Sequence, residues 1–411
     1  MRLAEMMTLR QTIGAGLLVT LTERCPLHCA HCSSASTARG RRLDAGALLR
    51  FLGTFRPELR PDVMMLTGGE PLTRPGLVVA AAEAAGARGT RTAVLSGASF
   101  ARGGGRLPDS VRQVARAVDH FSLSLDAHHE REVAREDVFA ALRALLRIGV
   151  ATSLHLVGEG EDDPYLAQVT AQVRERFGTE VPMLVSAVRP VGRAAAWARP
   201  LPAPDASVAA GCGMAAWPVV AVDGAVTACC NQDVVDGRAR PAHLVLGDLS
   251  STAWPEVVER ARRGPVLRMV RTVGPVHIAA RGGEQPSCGG GGYCDTCHRL
   301  DDLTGARRWA ERAGAGAAGE LLQEAALRAG RGGGPATLLR RHGAGRYGEL
   351  VGAVRPEGGS THGAGKPVRT GGETTPPEDR SVHPGGESTG AGAGPVRPDG
   401  PHRGGTGEAG A

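Results

Sequence analysis

The sequence predicts an α/β protein with a parallel sheet, a smaller cysteine-rich α+β segment after it, and a disordered C-terminal tail. Three observations predict this. Between Gly16 and about Val188, short apolar, β-branched runs alternate with helical stretches. Strands joined through helices imply right-handed βαβ crossovers and a parallel sheet. Of the nine cysteines, Cys212, Cys229, Cys230, Cys288, Cys294 and Cys297 all fall between 205 and 300. From about Gly332, and clearly from Pro356, the chain is rich in Gly, Pro, Thr and Ser with almost no large apolar residue. Such a stretch lacks the apolar surface to offset the entropy of folding.

The strand candidates are residues 17–22, 63–67, 91–95, 121–126, 152–157 and 182–188, and the helix candidates between them are 44–55, 75–85, 108–118, 136–148 and 165–177. Pro75 and Pro108 suit first helical turns, and Gly149 and Gly178 suit helix ends. Six such units are fewer than a closed eight-fold barrel needs, so a partial barrel and an open doubly wound sheet both fit. In either, reactive groups belong at the carboxyl ends of the strands.

The polar residues follow that rule. Cys25 lies past the first strand, Gly68-Gly69-Glu70-Pro71 past the second and Ser96-Gly97 past the third. On the fourth, Ser122, Ser124 and Asp126 alternate with Phe121, Leu123 and Leu125, giving one polar and one apolar face. His155 shares a face with Ser153 on the fifth, and Arg189 to Arg193 close the sixth. The expected organisation is a lead-in at 1–14, the barrel region at 15–200, a proline-rich boundary, the cysteine-rich segment at 205–300, a helix at 301–330 and the tail at 331–411. Within the cysteine-rich segment, Asp223-Gly224 between β-type runs signals a tight hairpin.

The formal charge of the 411-residue chain is +6 with scattered arginines, which disfavours nucleic-acid binding. No apolar run approaches the roughly 18 residues of a membrane span, and the N-terminus carries no signal-peptide pattern. The expected location is therefore the cytosol. There, clustered cysteines read as metal or cluster ligands sooner than as disulfides.

Cys25-Pro26-Leu27-His28-Cys29-Ala30-His31-Cys32 places three thiols in one short loop. Three thiolates hold three irons of a cubane cluster and leave the fourth iron open, and an open metal position is what a catalytic site requires. An open iron can chelate the nitrogen and carboxylate of an amino acid, and the Gly68-Gly69-Glu70 turn is placed to take the ammonium. The alternative is zinc bound by two or three of these cysteines with His28 or His31. Zinc knuckles favour paired C-x-x-C sets over this spacing.

This loop resembles the signature of the radical S-adenosylmethionine (radical SAM) enzymes, with His31 where that family usually carries an aromatic residue. Gly68-Gly69-Glu70-Pro71 resembles the family's glycine-rich motif, Phe121 to Asp126 its fourth-strand motif, and Pro190-Val191-Gly192-Arg193-Ala194 a segment after its sixth strand. The resemblance runs from 16 to about 195 in the family's order. It implies a partial (β/α)6 TIM-like barrel, a [4Fe-4S] cluster on Cys25, Cys29 and Cys32, and S-adenosylmethionine on the open iron. One-electron cleavage of that cofactor to a 5′-deoxyadenosyl radical would follow, with hydrogen abstraction from substrate. Under the same resemblance Gly68, Gly69 and Glu70 contact the methionine ammonium. Ser124 and Asp126 make polar contacts to cofactor or substrate, or else sheet-end hydrogen bonds. Arg189 or Arg193 pairs the cofactor carboxylate, or else is a surface charge.

The second cysteine group resembles the auxiliary-cluster domains called SPASM and twitch. A full SPASM domain carries more cysteines than this segment and a twitch domain fewer. Adjacent residues rarely reach one cluster together. The resemblance therefore implies one auxiliary [4Fe-4S] cluster held by Cys212, one of Cys229 and Cys230, Cys294 and Cys297, with Cys288 as a further or alternative ligand. A zinc ribbon from the same cysteines is the alternative. Relatives with such domains imply oxidation or cross-linking of a ribosomally made peptide, with an electron donor such as flavodoxin or ferredoxin. Because the lead-in is short, either a separate partner supplies peptide recognition or the barrel acts alone. Dehydrogenation of a small alcohol or sugar is the second enzymatic reading. A zinc-binding scaffold without catalysis is the reading from another class.

Overall fold

Six strands, sealed along most of their length, form the parallel sheet that the alternation predicts: β1 (Gly16–Thr20), β2 (Val63–Thr67), β3 (Arg91–Ser96), β4 (His120–Asp126), β5 (Ala151–Gly158) and β6 (Met183–Ala187). Each neighbouring pair runs parallel. Burial on both faces explains the near-continuous apolar runs. The computed structural model describes residues 1–201, 205–238, 240–285, 292–342 and 344–352.

The crossover helices are α2 (Ala45–Leu52), α3 (Pro75–Gly86), α4 (Asp109–Ala117), α5 (Arg135–Ile148) and α6 (Pro164–Phe177), preceded by α1 (Leu3–Leu9) in the lead-in. Asp44 caps α2 by accepting from the Ala47 N–H, which supplies one of the partners that a helix start otherwise lacks. Pro75 opens α3 as expected, whereas Pro108 stands one residue ahead of α4 as its cap.

The sheet does not close. Its order is β6-β5-β4-β3-β2-β1-β7-β8-β9. The free edge of β1 takes β7 (Val219–Val220) in parallel, with Leu18 opposite Val219. The expected hairpin turns from β7 into β8 (Ala225–Thr227), and β9 (Val245–Asp248) adds antiparallel to β8. The cysteine-rich segment thus shares the sheet of the barrel region. Close packing fixes this join. A Cβ on Gly16 would stand 2.1 Å from the Trp217 ring, and Trp217 Nε1 donates to the Leu9 carbonyl at 3.0 Å.

Seven helices complete this half: α7 (Gln232–Val235), α8 (Trp254–Arg263), α9 (Pro265–Thr272), α10 (Pro275–Arg281), α11 (Gly292–His298), α12 (Thr304–Gly314) and α13 (Gly316–Gly332). Trp254 of α8 is sealed against Phe51 and Phe55 at ring separations of 6.3 and 5.4 Å. Two expectations change here. The single helix at 301–330 is α12 and α13, broken at Ala315. The tail does not begin at 331: α14 (Thr337–His342) and a 3-10 helix at Gly345–Val351 bury Leu338, Leu339, Tyr347 and Val351. Those few apolar side chains suffice to dock the segment. The rest of the expected tail, from 353, lies outside the described residues, as do 202–204 of the proline-rich boundary. Among the described residues, no helix is long and apolar enough to cross a membrane.

Candidate active site

The loop of Cys25, Cys29 and Cys32 begins at the carboxyl end of β1 and is held from three sides. From its own hairpin, Cys25 N–H donates to the Thr37 carbonyl at 2.9 Å. From β2, Gly69 N–H donates to the Thr22 carbonyl at 2.6 Å and Glu70 N–H to the Arg24 carbonyl at 2.7 Å. This contact needs glycine. Gly68 has φ +138°, and a Cβ there would lie 2.3 Å from the Thr22 oxygen. From beyond β6, Gly192 has φ +58° and presses its α-carbon against the Ser33 carbonyl, which a Cβ would approach to 2.1 Å.

Arg193 follows as the brace. Its backbone N–H donates to the Cys32 carbonyl at 3.0 Å. Its guanidinium donates to the Cys29 carbonyl at 2.8 Å and the Ser36 carbonyl at 2.7 Å. Trp197 Nε1 adds a bond to the Ala30 carbonyl at 3.1 Å. Arg193 is therefore committed to the loop backbone.

Burial pushes the Cys25 thiol up to about 12, with Glu70, Cys32 and Cys29 adding to the shift. A thiol in that environment releases its proton to a metal rather than to water. The eight described cysteines are all free of disulfides. A set of three soft donors on one pinned loop fits a cluster corner by corner.

Glu70 is tied into the ends of the sheet strands. Its carboxylate is 1% exposed. One oxygen accepts from Leu72 N–H at 3.0 Å, and the other accepts from Ser96 Oγ at 3.0 Å and Gly97 N–H at 2.9 Å. Burial raises its carboxyl to about 7 against these hydrogen bonds. The side chain ties the end of β2 to the end of β3 and sets the glycine turn in place.

Beside the loop lies a cluster that sequence reading named only in part. Asp126, fully buried at the end of β4, takes His129 Nδ1 at 2.5 Å and His31 Nε2 at 3.2 Å on one carboxylate oxygen. Its other oxygen accepts the His128 and His129 N–H groups, each at 2.9 Å. Burial pushes the Asp126 carboxyl up, but His129 and His31 outweigh it and hold it well below the usual range. Burial likewise pulls His129 down, while Asp126 and a hydrogen bond with Cys29 lift it to about 10. His31 stacks on His128 at 4.9 Å, and His128 packs on Trp197 at 5.1 Å. Asp126 was a candidate; His128 and His129 were missed. Their signal was a His-His pair straight after a strand-end aspartate.

Residues 19–172 match the Radical SAM superfamily. That stretch is a radical SAM domain. Two curated proteins are similar to parts of it. GTP 3′,8-cyclase of Geobacter sulfurreducens is 32% identical over 139 residues, 32% of this chain and 38% of that protein. PqqA peptide cyclase of Streptomyces rochei is 37% identical over 113 residues, 27% of this chain and 29% of that protein. The chain thus spans about a third of the length of the curated relatives it matches. Among solved structures, anSMEcpe with bound AdoMet and Cp18Cys peptide aligns over 72% of this chain and 99% of that one at 11% identity, TM-score 0.43. Streptococcus suis SuiB bound to S-adenosylmethionine aligns over 53% and 61% at 12% identity, TM-score 0.38. Likenesses at those scores carry no weight beyond the sheet already described.

Within the radical SAM domain, Ser124 lies opposite His155 on the face that also carries Asp126. Leu18, Met65, Leu95, Ser124, His155 and Leu184 occupy the same face of β1 to β6, and all are half-buried where most of their neighbours are sealed. This face carries Ser122, Ser124, Asp126, Ser153 and His155 among its apolar side chains. His155 Nε2 has no hydrogen-bond partner there, and burial pulls the imidazole down to about 4.

The second cysteine group is assembled from distant segments. Cys212 feels Cys294 and Cys230, while Cys229 feels Cys230, Cys297 and Cys212. Burial pushes the Cys212 thiol up to about 11 and raises Cys229, Cys294 and Cys297 as well. Arg189 stands close enough to Cys294 to pull that thiol down against burial. Cys230 accepts from Arg10 at 3.5 Å and Cys229 from the Asn231 N–H at 3.3 Å. Cys288 lies outside the described residues.

Proposed function

We propose that this chain is a radical SAM enzyme whose Cys25, Cys29 and Cys32 hold a [4Fe-4S] cluster with S-adenosylmethionine on the open iron. When bound, the reduced cluster and its cofactor supply a 5′-deoxyadenosyl radical for hydrogen abstraction from substrate. The observation that carries this reading is the pinned loop that gathers the Cys25, Cys29 and Cys32 thiols at the carboxyl end of β1. The protein's own contributions are to hold that loop, to orient the cofactor and to keep water out. Arg193 and the Gly68-Gly69 turn do the first. His31 and Asp126, beside the third cysteine, present stacking and polar groups for the second. Gly68, Gly69 and Glu70 near the ammonium, with Ser124 for a polar contact, complete the proposed cofactor set.

The gathering of Cys212, Cys229, Cys230, Cys294 and Cys297 supports an auxiliary [4Fe-4S] cluster in a SPASM- or twitch-like segment. Arg189, beside Cys294, belongs to that neighbourhood as much as to the cofactor carboxylate. The substrate we favour is a ribosomally made peptide, oxidised or cross-linked in the cytosol, with a flavodoxin- or ferredoxin-type donor and a separate peptide-recognition partner. Similarity to a peptide cyclase supports it. The second reading is a small-molecule substrate, favoured by similarity to a GTP cyclase. The test is anaerobic reconstitution and reduction with S-adenosylmethionine. 5′-Deoxyadenosine forms with the native chain and not with Cys29→Ala. Absence of product from the native chain, or equal product from both, refutes the reading. A colourless protein carrying zinc refutes it too.

A further inference from the structure

A buried histidine, His243, contacts the second cysteine group. It lies in the turn before β9, far in sequence from every cysteine it approaches, and its side chain is 4% exposed. Its Nδ1 stands 3.1 Å from Asp301 Oδ1, and its Nε2 stands 3.7 Å from Cys297 Sγ. Asp301 also accepts the Ala242 N–H on its second oxygen. A carboxylate that already accepts on both oxygens has no proton to give, so Nδ1 carries the hydrogen between them. In neutral imidazole the other nitrogen then holds a bare lone pair. That lone pair is Nε2, on the side of Cys297.

This is how proteins hold a metal-binding histidine: the carboxylate fixes the tautomer and ring angle, and the far nitrogen takes the metal. The spacing fits as well. With metal–sulfur and metal–nitrogen bonds of about 2.3 and 2.0 Å, a sulfur and a nitrogen reaching one tetrahedral metal lie about 3.6 Å apart. A metal with two positions for protein ligands, as one iron of a [2Fe-2S] cluster or a zinc ion has, is therefore within reach of Cys297 and His243 Nε2 together, whereas each iron of a cubane offers one such position.

We propose that His243 and Cys297 ligate one metal of the centre formed within the second cysteine group, which makes that centre a [2Fe-2S] cluster or a zinc site in place of the cubane, and that Asp301 holds His243 in the ligating tautomer. The inference rests on the proposal that these cysteines hold a metal centre. Each thiol loses a proton on binding; the imidazole binds neutral and releases none. Imidazole in place of thiolate makes an iron–sulfur centre easier to reduce.

The test uses the full chain with Cys25→Ala, Cys29→Ala and Cys32→Ala, so that only the second centre loads, grown with 15N-histidine and reconstituted with iron and sulfide. Pulsed EPR of the reduced centre shows a strongly coupled nitrogen that changes with the isotope. The coupling is lost in His243→Ala. It is also lost in His243→Cys, which keeps its iron and has a lower reduction potential. Asp301→Asn keeps the coupling but binds metal about 10–100-fold more weakly. An iron-loaded centre with no histidine coupling overturns the proposal and leaves the auxiliary cluster standing. A centre that takes zinc alone, with a zinc–nitrogen shell lost in His243→Ala, supports the ligand and refutes the iron–sulfur reading. A chain that takes neither metal overturns both.

Discussion

Arg193→Ala removes the brace of the catalytic loop without touching a thiol. The side chain donates to the Cys29 and Ser36 carbonyls at 2.8 and 2.7 Å. Hydrogen bonds from a charged donor contribute about 1.5–3 kcal/mol each. Arg193 is half-buried, so the low end applies, and the two together give about 3 kcal/mol. The backbone bond from Arg193 to Cys32 survives the substitution. About 3 kcal/mol of loop ordering corresponds to roughly a hundredfold in cluster affinity. The assay is anaerobic titration with an iron chelator, following the first cluster through its response to S-adenosylmethionine. Half-stripping is expected at about a hundredfold lower chelator, with the second centre unaffected. Arg193→Lys keeps the charge but not the planar fork and falls between. A first cluster as resistant in Arg193→Ala as in the native chain refutes the bracing role. Equal loss from both centres refutes it too, since that marks general destabilisation.

Gly192→Ala forces a Cβ to 2.1 Å from the Ser33 carbonyl at a φ of +58°; it is expected to cost about 1–3 kcal/mol of stability and to lower iron at the first site selectively, measured by melting and iron content. Trp254→Ala opens the contact with Phe51 and Phe55 and is expected to cost about 3–5 kcal/mol. Because the barrel region and the cysteine-rich segment share one sheet, urea unfolding should shift as a single transition; two transitions, only one of them shifted, would contradict the shared core. The third concerns pH. The folded-state pKa of His129 is raised from 6.5 to about 10, so its pairing with Asp126 stabilises the metal-free protein fully below about pH 6.5 and is lost as pH rises toward 10. The stability difference between the native chain and His129→Gln should shrink over that window, and a difference independent of pH would refute the pairing.

The strands of the radical SAM domain were legible because their apolar, β-branched runs, alternating with polar side chains on β4, are bounded by helices that keep their own period. The cysteine loop was legible because its chemistry is local. What escaped was mostly long-range. β7 and β8 have two and three residues, too few for a pattern to show that they extend the barrel sheet. Glu70 sits in a recognisable motif, but its ties to Ser96 and Gly97 depend on how β2 and β3 lie side by side. Leu338, Leu339, Tyr347 and Val351 are sparse in a Gly- and Arg-rich stretch, so composition hid a docked segment. His128 and His129 could have been read from their place beside Asp126. His243 could not: its partner Asp301 is 58 residues away and no local spacing joins them.

The central claim is an open iron on Cys25, Cys29 and Cys32 that takes S-adenosylmethionine. The most direct measurement is electron–nuclear double resonance on the reduced, reconstituted protein with S-adenosylmethionine labelled with 15N at the amino group and 17O at the carboxylate. The account predicts that both labels couple strongly to the cluster, and that both couplings vanish in Cys29→Ala. A reduced cluster present in full yield that couples to neither label would contradict it.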